Sequence, residues 1–231
     1  MSAMTAARRF DGLQWRLTRP PQGLFLCLDG ADGAGKTTIA AKLCDDLKAL
    51  GNNVQAVRDP GGTGLGDRLR SLLLDRHSIE IGPRAEMLMF MASRAQLMAE
   101  KVIPALERGA IVVTDRFLLS TVVYQGVAGG IDPAEIWRVG HAATAGLMPN
   151  LTLLLDVSRD VAGSRMDRQR DRIESRPESY QEAVRKNFRD ALEPGAFPAP
   201  IRRVDADPDP QTVYESVRRE VLHALEDHSR A

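Results

Sequence analysis

Apolar residues fall along this chain in short dense runs, separated by longer stretches whose apolar positions recur every three or four residues. The runs are Leu24 to Leu28, Val54 to Val57, Ala110 to Thr114, Leu151 to Leu155 and a shorter piece near Val204, and each reads as a strand. Their lack of polar alternation suits a parallel sheet buried on both faces. The intervening patterns predict helices over 36–50, 84–107 and 132–146. The last of these opens with Asp132 as N-cap, Pro133 in the first turn and Glu135 at the third position, and Asp209-Pro210 opens a further helix in the same way. Strand and helix alternate throughout, so the expected fold is α/β, with five parallel strands between two helical layers.

Residues 1–22 show no sustained period, carry four Arg against one Asp, and approach their end with Pro20-Pro21. They read as an N-terminal extension to one domain over 23–231, a length that a single core can serve. The charge balance of 31 basic against 31 acidic residues provides no broadly basic face, so neither nucleic acid nor an anionic membrane is an expected partner. Any anion must be captured locally. No run reaches the length of a membrane span and no signal-peptide pattern opens the chain, which points to the cytoplasm. Cys27 and Cys44 are too few for a disulfide framework and read as small buried hydrophobes.

Local anion capture has an evident candidate. Gly30-Ala31-Asp32-Gly33-Ala34-Gly35-Lys36-Thr37 follows an apolar run, opens a helix and fits the phosphate-binding P-loop pattern, with Thr38 next in line. The glycines let successive N–H groups turn inward onto phosphate oxygens, and the helix adds the positive end of its dipole. Lys36 would reach the β and γ phosphates and the Thr37 hydroxyl would bind Mg²⁺. Two strands end in aspartate, Asp115 and Asp156. Asp115 is the stronger metal-side candidate because Arg116 follows it, placing a charge for the metal and a charge for a phosphate at one strand end. Asp156 reads as a brace for the next loop.

Several motifs then read together: Arg58-Asp59-Pro60-Gly61-Gly62-Thr63, Phe90 with Arg94, Asp115-Arg116-Phe117, Tyr124-Gln125-Gly126 and Asp171-Arg172-Ile173-Glu174. Their order and spacing resemble the thymidylate kinase family from about Gly23 onward. The resemblance implies a three-layer P-loop fold with a short lid, ATP as donor, dTMP as acceptor, Mg²⁺ and a homodimer. It implies that Phe90 stacks on thymine while Arg94, one helical turn on, meets the base edge; residues at i and i+4 share a helix face. Thr121 and Gln125 would complete the hydrogen bonds to the base, and Tyr124 would pack near the sugar. Arg58 and Arg116 would grip the acceptor phosphate, with Arg70 nearby, and Asp32 would lie close to the acceptor's 3′-hydroxyl. The methionines 87, 89, 91 and 98 read as core or dimer-face residues.

The lid is expected over about 163–178. Ala34 stands where some family members carry a P-loop arginine, and the resemblance then assigns the transition-state cation to the lid, at Arg168 or Arg170. Two positions depart from the family pattern: Asp59 in place of glutamate, which would reach the phosphate-binding arginines or metal waters less well, and Phe117 in place of tyrosine or histidine. A related nucleotide kinase with another acceptor, or a non-enzymatic ATP-binding switch, are the alternative readings.

Overall fold

The computed structural model describes residues 9–10, 13–14, 22–75, 79–166 and 171–230. Two short strands, β1 (Arg9–Phe10) and β2 (Leu13–Gln14), pair antiparallel. Otherwise the 1–22 extension lies outside the described residues except Gln22. Then follow β3 (Phe25–Asp29), α1 (Lys36–Ala49), β4 (Val54–Arg58), α2 (Gly64–Leu74) and α3 (Pro83–Leu97). A π-helical turn at Met98–Val102 joins α3 to α4 (Ile103–Glu107). After β5 (Ile111–Asp115) and α5 (Leu118–Thr121), a second π-helical turn spans Val122–Val127. The rest is α6 (Pro133–Ala143), β6 (Leu151–Asp156), α7 (Arg159–Arg165), α8 (Glu178–Asp190), β7 (Ile201–Asp205) and α9 (Pro210–Arg230).

The five strands β3 to β7 form the expected parallel sheet in the order β4-β5-β3-β6-β7. Side chains alternate across a strand, and the two faces of β3 divide accordingly. Leu24, Leu26 and Leu28 join the core cluster that includes Leu43 and Leu47 of α1, Phe188 of α8 and Val217 of α9. Phe25 and Cys27 join the cluster on the other face, with Met87 and Met91 of α3, Leu106 of α4 and Ile136 of α6. Burial on both faces explains the apolar runs of the inner strands β3, β5 and β6, whereas β4 and β7 at the sheet edges are only partly buried. Both cysteines are free and buried.

The helix expected over 84–107 is present but widens at its middle. Pro104 has no N–H to offer the carbonyl of residue 100, and the chain takes a π turn there. The helix expected over 132–146 stops at Ala143, because Ala145 and Gly146 both adopt positive φ, 54° and 76°, and Gly146 N–H closes back onto the His141 carbonyl. Helices α2, α5, α7 and α8 went unpredicted. In α8 a low apolar content hid the period, since only Val184, Asn187 and Phe188 are buried.

Candidate active site

The carboxyl ends of β3, β4 and β5 lie side by side, with Leu28 opposite Asp115 and Asp115 opposite Arg58. Ligands of open α/β sheets bind at this edge. A cleft of about 300 Å³ opens there.

The P-loop turns directly off β3. Gly30, Gly33 and Gly35 have φ of 136°, 80° and 84°, and Gly35 caps α1. A Cβ at Gly33 would meet the Ala162 carbonyl oxygen at 2.7 Å and Ala162 Cα at 2.9 Å, so the loop packs on the α7 backbone as closely as glycine allows. Gly33→Ala is expected to cost at least about 1–2 kcal/mol for the left-handed conformation alone. Thermal unfolding should fall by several degrees and the KM for ATP should rise; an unchanged melting curve would show that the loop is free to relax.

Lys36 is buried and its Nζ donates to the Ala31 carbonyl at 2.6 Å. Burial, then the nearby Arg116, lower its pKa to about 8. Thr37 Oγ1 donates to Asp115 Oδ2 at 2.5 Å, while the buried Asp115 Oδ1 has no hydrogen-bond partner among the described residues. A threonine hydroxyl beside an orphaned carboxylate oxygen is a suitable pair of hard oxygen donors for Mg²⁺. Thr38 also faces the cleft.

Arg116 has a φ of 70°, unusual for a side chain larger than glycine. Its Nη1 donates to the Gly30 carbonyl and to Ser120 Oγ, both at 2.9 Å, and its Nη2 donates to Asp32. Asp32 also accepts from the Tyr124 hydroxyl at 2.9 Å. Behind them Asp29, fully buried, accepts from Gly30 N–H and the Ser120 hydroxyl at 2.9 and 2.6 Å and lies 3.8 Å from Arg116. Burial pushes the Asp29 carboxyl up despite Arg116 and Ser120. Asp29 and Ser120 were not singled out from the sequence. An aspartate ending a strand just before the P-loop, and a serine four residues after Arg116, are the signals that could have found them.

Arg58 is half exposed and 3.9 Å from Asp67, while Arg70 donates to the Pro60 carbonyl at 2.9 Å. Burial and the neighbouring Arg58 lower the Arg70 pKa, as expected of cations gathered where an anion is to sit. Arg58, Asp59, Arg70, Arg116, Phe90, Arg94, Thr121, Tyr124 and Gln125 all line the same cleft as Asp32, Lys36, Thr37 and Asp115.

Arg94 is only 1% exposed. Its Nε donates to Asp59 Oδ2 at 2.5 Å, its Nη2 to Thr121 Oγ1 at 3.0 Å and the Phe117 carbonyl at 3.2 Å, and its Nη1 to Met91 Sδ at 3.2 Å. Asp59 therefore turns its Oδ2 to Arg94 while still lining the cleft. Phe117 stacks edge-on against Phe25 at 5.1 Å with the Arg94 guanidinium over its ring, an apolar setting that suits phenylalanine better than a tyrosine hydroxyl. Asp156 accepts from Arg203 of β7 at 2.8 Å, bracing the neighbouring strand instead of a loop. Met87, Met91 and Met98 are core residues.

Of the expected lid, Arg168 and Arg170 lie outside the described residues, as does all of 167–170. The flanking Asp171, Ile173 and Glu174 line the cleft.

The comparisons with known proteins agree with this geometry. The family model described as thymidylate kinase matches residues 28–217. A thymidylate kinase of Rhodopirellula baltica is 42% identical over 176 residues, covering 76% of this chain and 71% of its own. That of an Exiguobacterium species is 39% identical over 206 residues, covering 88% and 96%. That of Bifidobacterium longum is 40% identical over 204 residues, covering 86% and 97%. With the match running from the end of β3 into α9, and so across every element that lines the cleft, the chain belongs to the thymidylate kinase family.

Proposed function

We propose that this protein transfers the γ-phosphoryl group of ATP to dTMP, giving dTDP and ADP. The observation that carries the reading is one cleft in which a P-loop, three arginines and an aromatic-plus-polar pocket face one another. The P-loop amides and Lys36 hold the donor phosphates. Arg58, Arg70 and Arg116 hold the acceptor phosphate. Phe90 stacks on thymine, while Arg94, Thr121 and Gln125 read its edge, and Tyr124 and Asp32 close the sugar side.

The acceptor phosphate is already ionised, so catalysis consists of alignment and charge neutralisation, with no strong general base required. Arg116 touches both Gly30 of the P-loop and Asp32, and so registers the acceptor phosphate against the donor. Thr37 and Asp115 would hold Mg²⁺, which on binding neutralises charge on the donor phosphates. Arg168 or Arg170 would supply the further transition-state cation, as the family resemblance implies. Closure of the lid would keep water from competing with dTMP.

The reading extends to a homodimer, supported by exposed Leu65 and Leu72 on one face of α2 and exposed Leu88 on α3, which packs against α2. It also extends to the cytoplasm: among the described residues no helix is long and apolar enough to cross a membrane, and the two buried thiols are unpaired.

ADP release measured over dTMP, dUMP, dCMP, dGMP and AMP tests the proposal. Turnover is expected to be highest with dTMP, with dUMP the nearest competitor, and to stop when EDTA removes divalent metal. Preference for dCMP, dGMP or AMP would replace the acceptor, and nucleotide binding without acceptor-dependent turnover would favour a switch.

A further inference from the structure

Glu86 sits in α3 one turn before Phe90 and two before Arg94, on the same helix face, and is 1% exposed. Its carboxylate receives three side chains from two other segments of the chain. Oε1 accepts from Gln125 Nε2 at 2.9 Å and from Arg176 Nη2 at 2.9 Å. Oε2 accepts from Arg172 Nη2 at 2.5 Å and from Arg176 Nη2 at 2.7 Å. Burial by itself raises the Glu86 pKa, but Gln125 and the two arginines outweigh it and hold the group below the ordinary glutamate range. Both arginines belong to the segment that leads out of the lid into α8. That segment is tied down further: Arg172 Nε donates to the Leu73 carbonyl at 2.8 Å, and Arg176 donates to the Tyr180 hydroxyl, which donates to the Tyr124 carbonyl.

An ionised carboxylate can only accept hydrogen bonds. It therefore decides which way the Gln125 amide points: Nε2 turns to Glu86, and Oε1 is the acceptor left for a ligand. Thymine carries an N–H at N3 and needs an acceptor there, whereas the N3 of cytosine carries no hydrogen. Resting on the dTMP kinase reading above, we propose that Glu86 is a positioning residue that fixes Gln125 as an acceptor toward the base and anchors the lid stem with the same carboxylate. Base selection and lid placement then depend on one buried charge.

Glu86→Gln separates this role from a merely structural one. The new side chain has one oxygen where there were two. Two guanidinium groups donate to the Oε2 position and one to Oε1, so the oxygen is drawn to the Oε2 position and the new amine faces Gln125. Gln125 then reverses, presenting a donor to the base. The ratio of kcat/KM for dTMP over dCMP is independent of the fraction of enzyme folded, and it is expected to fall about tenfold or more in the variant. Glu86→Asp keeps an acceptor-only head and should hold the ratio nearer to that of the unaltered enzyme. Arg176→Met leaves Glu86 facing Gln125, so it should lower kcat with dTMP about tenfold while leaving the base ratio in place. An unchanged ratio in Glu86→Gln, or an unchanged kcat in Arg176→Met, would overturn the proposal. If the unaltered enzyme itself shows no preference for dTMP, the functional reading is what fails.

Discussion

Lys36→Ala is expected to reduce acceptor-dependent ADP release by about 10²–10³-fold or more, the scale on which a single preorganised charge acts on a developing anion. The same variant should fold at least as well as the unaltered chain when no nucleotide is bound. Among the described residues the Lys36 ammonium hydrogen-bonds the Ala31 carbonyl alone, and burial, then Arg116, lower its pKa to about 8, so its charge is a cost to the fold without nucleotide. ATP adds negative charge to that of Asp32, Asp115 and Asp29, which by themselves do not offset burial and Arg116. Thermal unfolding without nucleotide and a coupled ADP-release assay together check both halves. Normal turnover would displace the P-loop assignment, and a melting temperature well below that of the parent would show that Lys36 serves the core.

This separation of roles explains why parts of the molecule were legible from sequence and others were not. The three inner strands could be read because burial on both faces forces nearly continuous apolar runs, and the P-loop because its backbone conformation requires glycine at fixed positions. Phe90 and Arg94 share a helix face, so their convergence also followed from spacing. Glu86 lies on that same face one turn earlier, yet a lone glutamate in a helix is ordinarily solvated. Nothing local says that residues 125, 172 and 176 will meet it. Asp29 and Ser120 are in the same position: their pairing spans 91 residues and depends on β3 and β5 being neighbours. The strands are dictated by near-neighbour physics, whereas the buried charge pairs that align the cleft exist only once the sheet has assembled.

Asp59 shows how large the effect of one such pair should be. Its side chain is fully buried, that of Arg94 is 2% exposed, and the two form a direct ion pair at 2.5 Å. Asp59→Ala would leave a guanidinium in the interior with its charge uncompensated, which costs about 3–5 kcal/mol. For a chain of this size that corresponds to a fall of roughly 10 °C or more in melting temperature. Because Arg94 would also lose the contact that orients it toward the pocket, KM for dTMP should rise more than KM for ATP. Asp59→Asn separates the two contributions. It preserves shape and one acceptor for Arg94 Nε, so geometry is kept while the compensating charge is lost, and it should fall between alanine and the unaltered chain in both measurements. Asp59 Oδ1 is buried with no hydrogen-bond partner among the described residues, so the asparagine amine would also have to enter a site where none of them accepts from it. Melting of Asp59→Ala within one or two degrees of the parent would mean that Thr121, the Phe117 carbonyl and Met91 suffice to hold Arg94.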